Sequence, residues 1–337
     1  MPLIYAGIDE AGYGPLLGPL CVGMSVFEVR DWTDGDQAPN LWETLSGAVC
    51  REASDKRRRI AIDDSKKLKL SNSSATKHPL THLERGVGTF MVCRGEDESC
   101  PIDDAAFFAA AGVKLPEETW YVGDAIGFPC GSSADQVAIA SNLLRRELHE
   151  RGVALRSLNC EAIGEGVFNQ LVEAAGTKAA ATESALVGHL WRIWDQWGAI
   201  GAQPGSGVRV ICDRQGGRAH YTDMLSRAFP GVSVTETHQS ATQSRYELRG
   251  KGDDGIERHM HVLFLVESEQ HHLPVALASM LAKLTREMLM ARFNRYWRGR
   301  YPELKPTAGY RGDGWRWMQD AARIFVNGER EALIRRA

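Results

Sequence analysis

Four acidic residues open the question of chemistry: Asp9 with Glu10, then Asp213, then Glu267, each closing a short apolar run. Carboxylates brought within a few ångströms of one another repel, and one is forced to take up a proton unless a cation neutralises them. An all-oxygen site selects hard ions such as Mg²⁺ or Mn²⁺ over zinc. Two such ions roughly 4 Å apart are suited to phosphodiester hydrolysis. On spacing alone the plainer reading is favoured, that these acids end strands and make turns. Adjacent residues on a regular strand face opposite ways, so Asp9 and Glu10 share a site only if the chain bends, which Gly12 and Gly14 allow.

The elements that must carry these acids are legible as apolar runs. Residues 3–9 and 21–29 flank a Gly/Pro-rich turn and read as neighbouring strands, with 89–93 as a third. The runs VRVICD (208–213) and MHVLFLVE (260–267) read as further strands. Val137, Ala140, Leu144 and Leu148 recur at helical spacing, as do Leu186, Leu190, Ile193 and Trp197. Leu277, Leu281, Leu284 and Met288 mark a helix directly after Glu267. Strands first, then strands alternating with helices, indicate a mixed α/β sheet, whose carboxyl edge is where functional groups collect. The acidic segments 95–104 and 250–257 read as surface insertions.

Composition narrows the class. The 337 residues suit one large domain with insertions or two domains, at 43% hydrophobic and 25% charged. A net charge of −3 provides no global basic field, so nucleic-acid binding would need a local patch. No apolar run is long enough to span a bilayer. The opening MPLIYAGIDE has no basic region before its apolar stretch and is expected to be a buried strand, not a signal peptide. The seven cysteines are scattered without a C-x-x-C pair, which fits reduced thiols and a cytoplasmic setting.

Five blocks resemble, in order, the motifs of the type 2 ribonucleases H, the HII/HIII group. They are GIDEAGYGPLLGP (7–19), DDSKKL (63–68), VRVICD (208–213), VESEQHHLPVALASMLAKLTRE (266–287) and PTAGYRGDG (306–314). They cover about a sixth of the chain and span nearly all of it. The resemblance implies that Asp9, Glu10, Asp213 and Glu267 are the catalytic, metal-holding acids, binding two Mg²⁺ or Mn²⁺ ions. It implies phosphate contacts for Lys66 and Lys67, which otherwise read as a solvated Lys-rich loop. It sets Tyr310 near an RNA–DNA junction, where a packed aromatic is the equal alternative, with Arg311 beside it as a backbone contact.

Departures from the pattern bear on substrate. The HII enzymes carry Gly-Arg-Gly where this chain has Gly12, Tyr13 and Gly14, so the glycines that admit backbone contact with a 2′-hydroxyl remain and the guanidinium is lost. A glutamate at the fourth acid is the HIII pattern. The HIII enzymes also have an extra N-terminal substrate-binding domain, and none is expected here because the first motif begins at residue 7. Glu287 stands where the family has aspartate and is expected to orient its neighbours.

Weaker signals remain. Arg298, Arg300 and Arg311 interleave with Trp and Tyr, which suits phosphate and base contacts, whereas Trp315 and Trp317 read as docking a helical appendage. His259 and His261 alternate on a strand, but the neighbouring sequence offers no third nitrogen or sulfur ligand, and they read as surface histidines. His271, close to Glu267, is a candidate proton carrier.

The expectations are therefore a ribonuclease H-like α/β fold with a mixed five-stranded sheet flanked by helices. A catalytic domain is expected over 1–294, with insertions near 71–135 and 238–257, and a helical segment over 295–337. The expected activity is hydrolysis of the RNA strand of an RNA–DNA hybrid by a monomer, without membrane association. The rivals are a nuclease of the same fold with an altered nucleic-acid substrate, and a catalytically silent hybrid-binding protein.

Overall fold

The first apolar run forms β1 (Leu3–Ala11), and the run beyond the Gly/Pro-rich turn forms its antiparallel partner β2 (Leu20–Val29). The computed structural model describes all of residues 1–337 except 34, 36, 96–98, 215–217, 327 and 337. Next come α1 (Leu41–Thr44), the parallel pair β3 (Val49–Cys50) and β4 (Ile60–Ala61), and α2 (Ser65–Leu68). The helices α3 (Thr81–Val92), α4 (Asp104–Ala110) and α5 (Ala134–Glu150) lead into β5 (Val153–Ile163). Then follow α6 (Glu165–Ala175), α7 (Ala179–Gly201), β6 (Gly207–Asp213) and α8 (Thr222–Ala228). The meander β7 (Ser233–Gln239), β8 (Gln243–Lys251) and β9 (Glu257–Leu265) precedes α9 (Leu273–Arg300), α10 (Arg311–Asp320) and α11 (Glu329–Leu333).

The main sheet has the order β5-β2-β1-β6-β9-β8-β7. Its centre is parallel, with β1 beside β6 and β6 beside β9, while both wings are antiparallel. The expected mixed α/β sheet with flanking helices is present, with seven strands in place of five. The additional ones include the edge strands β5, where buried residues are interrupted by exposed ones, and β7, where no residue is buried, both weaker as sequence signals than a continuous apolar run.

Each face of the sheet carries its own core. Ile4, Ala6 and Ile8 of β1 pack with Val208 and Val210 of β6 against Leu186, Leu190 and Ile193 of α7. Leu3 and Tyr5 of β1 belong to the opposite layer, built on Leu277, Leu281, Leu284 and Met288 of α9. Helix α9 is buried around most of its circumference, as befits a helix enclosed between sheet and outer helices. It lies so close to β1 that a Cβ on Gly7 would overlap the backbone of Pro274 and Val275.

One expected strand is revised, and the expected segment bounds fall on the elements as follows. Residues 89–93 are not a strand but the end of α3, whose buried Leu83, Val87, Phe90 and Met91 follow helical spacing. A five-residue apolar window is too short to separate the two periods. The boundary at 294 falls inside α9, where Trp297 is fully buried. The segment near 71–135 contributes Phe90, Phe107, Trp120 and Tyr121 to the core, and 238–257 contains all of β8. Of the acidic segment at 95–104, residues 96–98 lie outside the described residues. No described helix is long and apolar enough to cross a membrane.

Candidate active site at the carboxyl edge of the sheet

The three parallel strands deliver their carboxyl ends to one edge. Register between β1 and β6 runs to Ile8 opposite Cys212, so Asp9 and Asp213 come next on neighbouring strands. Asp213 is in turn paired with Leu265, the last residue of β9. Strand β1 does not bend after Asp9: Glu10 still pairs with Val22 and Ala11 with Cys21. Asp9 Oδ1 accepts the Glu10 N–H at 2.7 Å, and the Glu10 charge acts on the Asp9 carboxyl.

The fourth expected acid lies on the turn that follows β9. After β9 the chain turns through Glu267, at φ 52°, into a short 3-10 turn over Ser268–Gln270. Glu267 is exposed, and its carboxylate accepts from the Gln270 amide at 3.1 Å. Two residues on, Glu269 is the acid whose charge bears on Glu10. Ser268, between them, donates its N–H and its hydroxyl to Asp213 Oδ1, which fixes the turn against the end of β6. Asp9, Glu10 and Asp213 thus share this edge with the turn that carries Glu267 and Glu269, of which Glu269 is the half-buried one.

These acids are electrostatically strained as a set. Burial, then the charges of Glu10 and Asp213, push the Asp9 carboxyl well above the usual range. Burial and Asp213 raise Glu10 to about 7, against the opposing pull of Lys66. Burial raises Asp213 while the hydrogen bonds from Ser268 oppose it, and burial with Asp213 and Asp64 raises Glu269. A divalent cation would relieve this repulsion, and the donor set, carboxylate oxygens throughout, fits a hard ion.

The segment DDSKKL supports the acids from one side. Asp64 caps α2 by accepting the Lys66 N–H at 2.9 Å, which presents Lys66 to the acids. Ser65 Oγ lies 3.0 Å from Ser279 Oγ on α9, and Ser279 in turn opposes the rise of the Asp9 carboxyl. Lys67 turns instead toward Asp63, at 3.5 Å. Arg51 joins the same corner, donating to the Gln270 carbonyl at 2.7 Å.

On the other side lies the Gly-Tyr-Gly loop. Gly12 has φ +91°, and any Cβ there would press on Arg286. The buried Arg335 donates to the carbonyls of Gly12 at 2.6 Å and Tyr13 at 2.7 Å, so the chain's last helical segment closes over its first loop. Tyr13 and Gly14 are exposed, and Lys178 Nζ sits 4.8 Å over the Tyr13 ring. Leu16 and Leu17 donate to the Gly309 carbonyl, which brings Tyr310 beside this loop. Tyr310 is 47% exposed and receives a hydrogen bond from Lys283 at 3.4 Å, so it is not a packed core aromatic. Arg311 is exposed at the start of α10.

Other predicted residues fall outside this cluster. Trp317 is fully buried and Trp315 is 41% exposed. Glu287 pairs with Lys283 at 2.7 Å. His271 is exposed, while His272 Nδ1 lies 2.5 Å from the Tyr5 hydroxyl, with burial and His271 lowering its pKa to about 4. Glu269, Ser268, Ser279 and Arg335 were not singled out by sequence. Only Glu269 had a local signal, as a second acid within two residues of Glu267.

No family model matches the chain, and no curated protein matches it. Among solved structures, it is similar to the Pyrococcus horikoshii OT3 ribonuclease H2, at 14% identity and TM-score 0.41, covering 100% of this chain and 93% of that one. It is similar at 13% identity and TM-score 0.39 to RNase HII in its PCNA complex from Archaeoglobus fulgidus, covering 98% and 93%. Bst-RNase HIII in complex with Mn²⁺ aligns at 14% identity and TM-score 0.41, over 98% of this chain and 64% of that one.

Proposed function

We propose that the chain is a metal-dependent endoribonuclease that hydrolyses the RNA strand of RNA–DNA hybrids. The support for the reading is that Asp9, Glu10 and Asp213 lie at the carboxyl ends of neighbouring parallel strands, with Glu269 in the turn after β9, Glu10 raised to about 7 and Lys66 as the cation acting on it. A set of carboxylates held under such repulsion gains nothing as a passive surface and gains much from binding Mg²⁺ or Mn²⁺. Two such ions, when bound, supply Lewis acidity toward a phosphodiester and neutralise charge that builds on its oxygens.

The chain's own residues do the rest. Asp9, Glu10, Asp213 and Glu269 hold the ions, and Glu269 takes the place first expected for Glu267. Ser268 orients Asp213 by two hydrogen bonds, and Ser279 favours the charged form of Asp9. Lys66 offers a point charge to a backbone phosphate, with Lys67 and Arg311 farther along the strand. Gly12 and Gly14 expose the loop backbone to a ribose 2′-hydroxyl, and Tyr13 and Tyr310 flank it with aromatic surface.

The test is incubation of the pure protein with end-labelled RNA–DNA hybrid and Mg²⁺ or Mn²⁺, with Asp213→Asn as control. Metal-dependent cleavage of the RNA strand, lost in the variant, supports the reading. Cleavage of plain duplex DNA in place of the hybrid, or tight hybrid binding without cutting in either metal, rejects it.

A further inference from the structure

We propose that Glu247, His259 and His261 form a second metal site, on the open face of the β8–β9 ladder, that takes a borderline transition-metal ion such as Zn²⁺. His259 and His261 alternate along β9 and so share a face, the one turned away from Met260 and Val262 of the α7-side core. The missing third ligand comes from the next strand: Glu247 of β8 is in register with His261. One ligand atom from each of the three residues lies within 4.8 Å of the other two. The imidazole rings stand 4.6 Å apart at 66°.

The orientation of His259 is that of a supported ligand. Its Nδ1 lies 3.3 Å from the Gly201 carbonyl, which holds a proton on that nitrogen and turns Nε2 toward Glu247 Oε1 at 2.8 Å. Coordination replaces this contact with bonds from both atoms to the ion. His261 is exposed, so one side of the site stays open to water. Three protein ligands of the His₂Glu type with an open position match zinc, and two imidazoles discriminate against Mg²⁺. Two cations oppose binding. Arg249 donates to Glu247 Oε1 at 2.6 Å, and Arg209 is paired with His261 across β6 and β9. His261 lies four residues before the end of β9, about 13 Å along the strand, so the site is separate from the carboxylate edge.

Calorimetric titration of the untagged full chain with ZnCl₂ in saturating Mg²⁺ tests this directly. The expected result is one zinc equivalent, weakened by more than about tenfold in His259→Ala and in His261→Ala. Affinity should rise in Arg249→Gln, an arm that no folding defect would mimic, and persist in Asp213→Asn. Absence of zinc binding, binding that survives both histidine variants, or binding abolished by Asp213→Asn overturns the proposal.

Discussion

Ser268 donates two hydrogen bonds to a single oxygen of Asp213, from its N–H and from its hydroxyl, both at 3.1 Å. The first ties the turn after β9 to the end of β6, and the second lowers the proton affinity of a carboxyl that burial raises. Ser268→Ala keeps the backbone bond and loses the hydroxyl, a contribution of about 1 kcal/mol. Steady-state cleavage of hybrid should fall about fivefold to tenfold, with little change in a denaturation midpoint; an unchanged rate would show that Asp213 is held adequately by the backbone alone.

Glu267 and Glu269 make the sharpest pair of variants. Glu269→Gln should reduce hybrid cleavage beyond the roughly 10–100-fold typical of outer-shell partners, as should Asp213→Asn. Glu267→Gln should leave the rate close to that of the wild type, because its carboxylate is exposed and bonded to Gln270. The reverse ranking would restore Glu267 as the fourth acid.

Arg335 is expected to matter far beyond its position near the end of the chain. Its guanidinium satisfies the carbonyls of Gly12 and Tyr13 and packs 4.1 Å over Phe168. Arg335→Ala should cost about 3 kcal/mol in urea denaturation, since charge-assisted hydrogen bonds are lost and carbonyls are left unmet. Arg335→Lys should recover little of it, because a single ammonium cannot reproduce the fork.

Gly7 and Gly14 predict opposite outcomes for the same substitution. A Cβ on Gly7 would overlap Pro274 and Val275, forcing α9 off the sheet, and Gly7→Ala should destabilise by about 3 kcal/mol. A Cβ on Gly14 meets nothing within 4 Å, and Gly14→Ala should leave the unfolding midpoint unchanged. Equal midpoints for the two variants would contradict the close packing of β1 on α9.

Glu165 supplies a pH dependence remote from the acids. Its buried carboxyl accepts from Gly18 N–H at 3.0 Å and from the Tyr121 hydroxyl, and burial with Glu118 raises it from 4.5 to about 7. A carboxyl raised on folding binds more protons in the native state, so its contribution is full below about 4.5 and is lost as pH rises through about 7. The loss is of order 3 kcal/mol. Glu165→Gln should flatten this part of the stability–pH curve between pH 5 and 8, and an unaltered slope would assign it to other groups.

Strand positions and the first three acids were legible in the chain because buried parallel strands are nearly continuous apolar runs, each ending where polar residues begin. VRVICD and MHVLFLVE announced β6 and β9 within one to three residues, and Asp9, Glu10 and Asp213 followed as acids at or near the ends of β1 and β6. Helical spacing likewise marked α5 and α7, each with a buried stripe, and α9, which is buried around most of its circumference. What the chain alone left open was decided by contacts between residues far apart in sequence. Whether Glu267 or Glu269 joins the acids depends on the rotation of a three-residue turn, set by Ser268 bonding to Asp213, 55 residues earlier. Whether two alternating histidines have a third ligand depends on the register of β8 against β9, which brings Glu247 beside them. Local periodicity records which face of an element is buried; it carries no record of what lies across the gap, because that is fixed only when the strands pair and the helices dock.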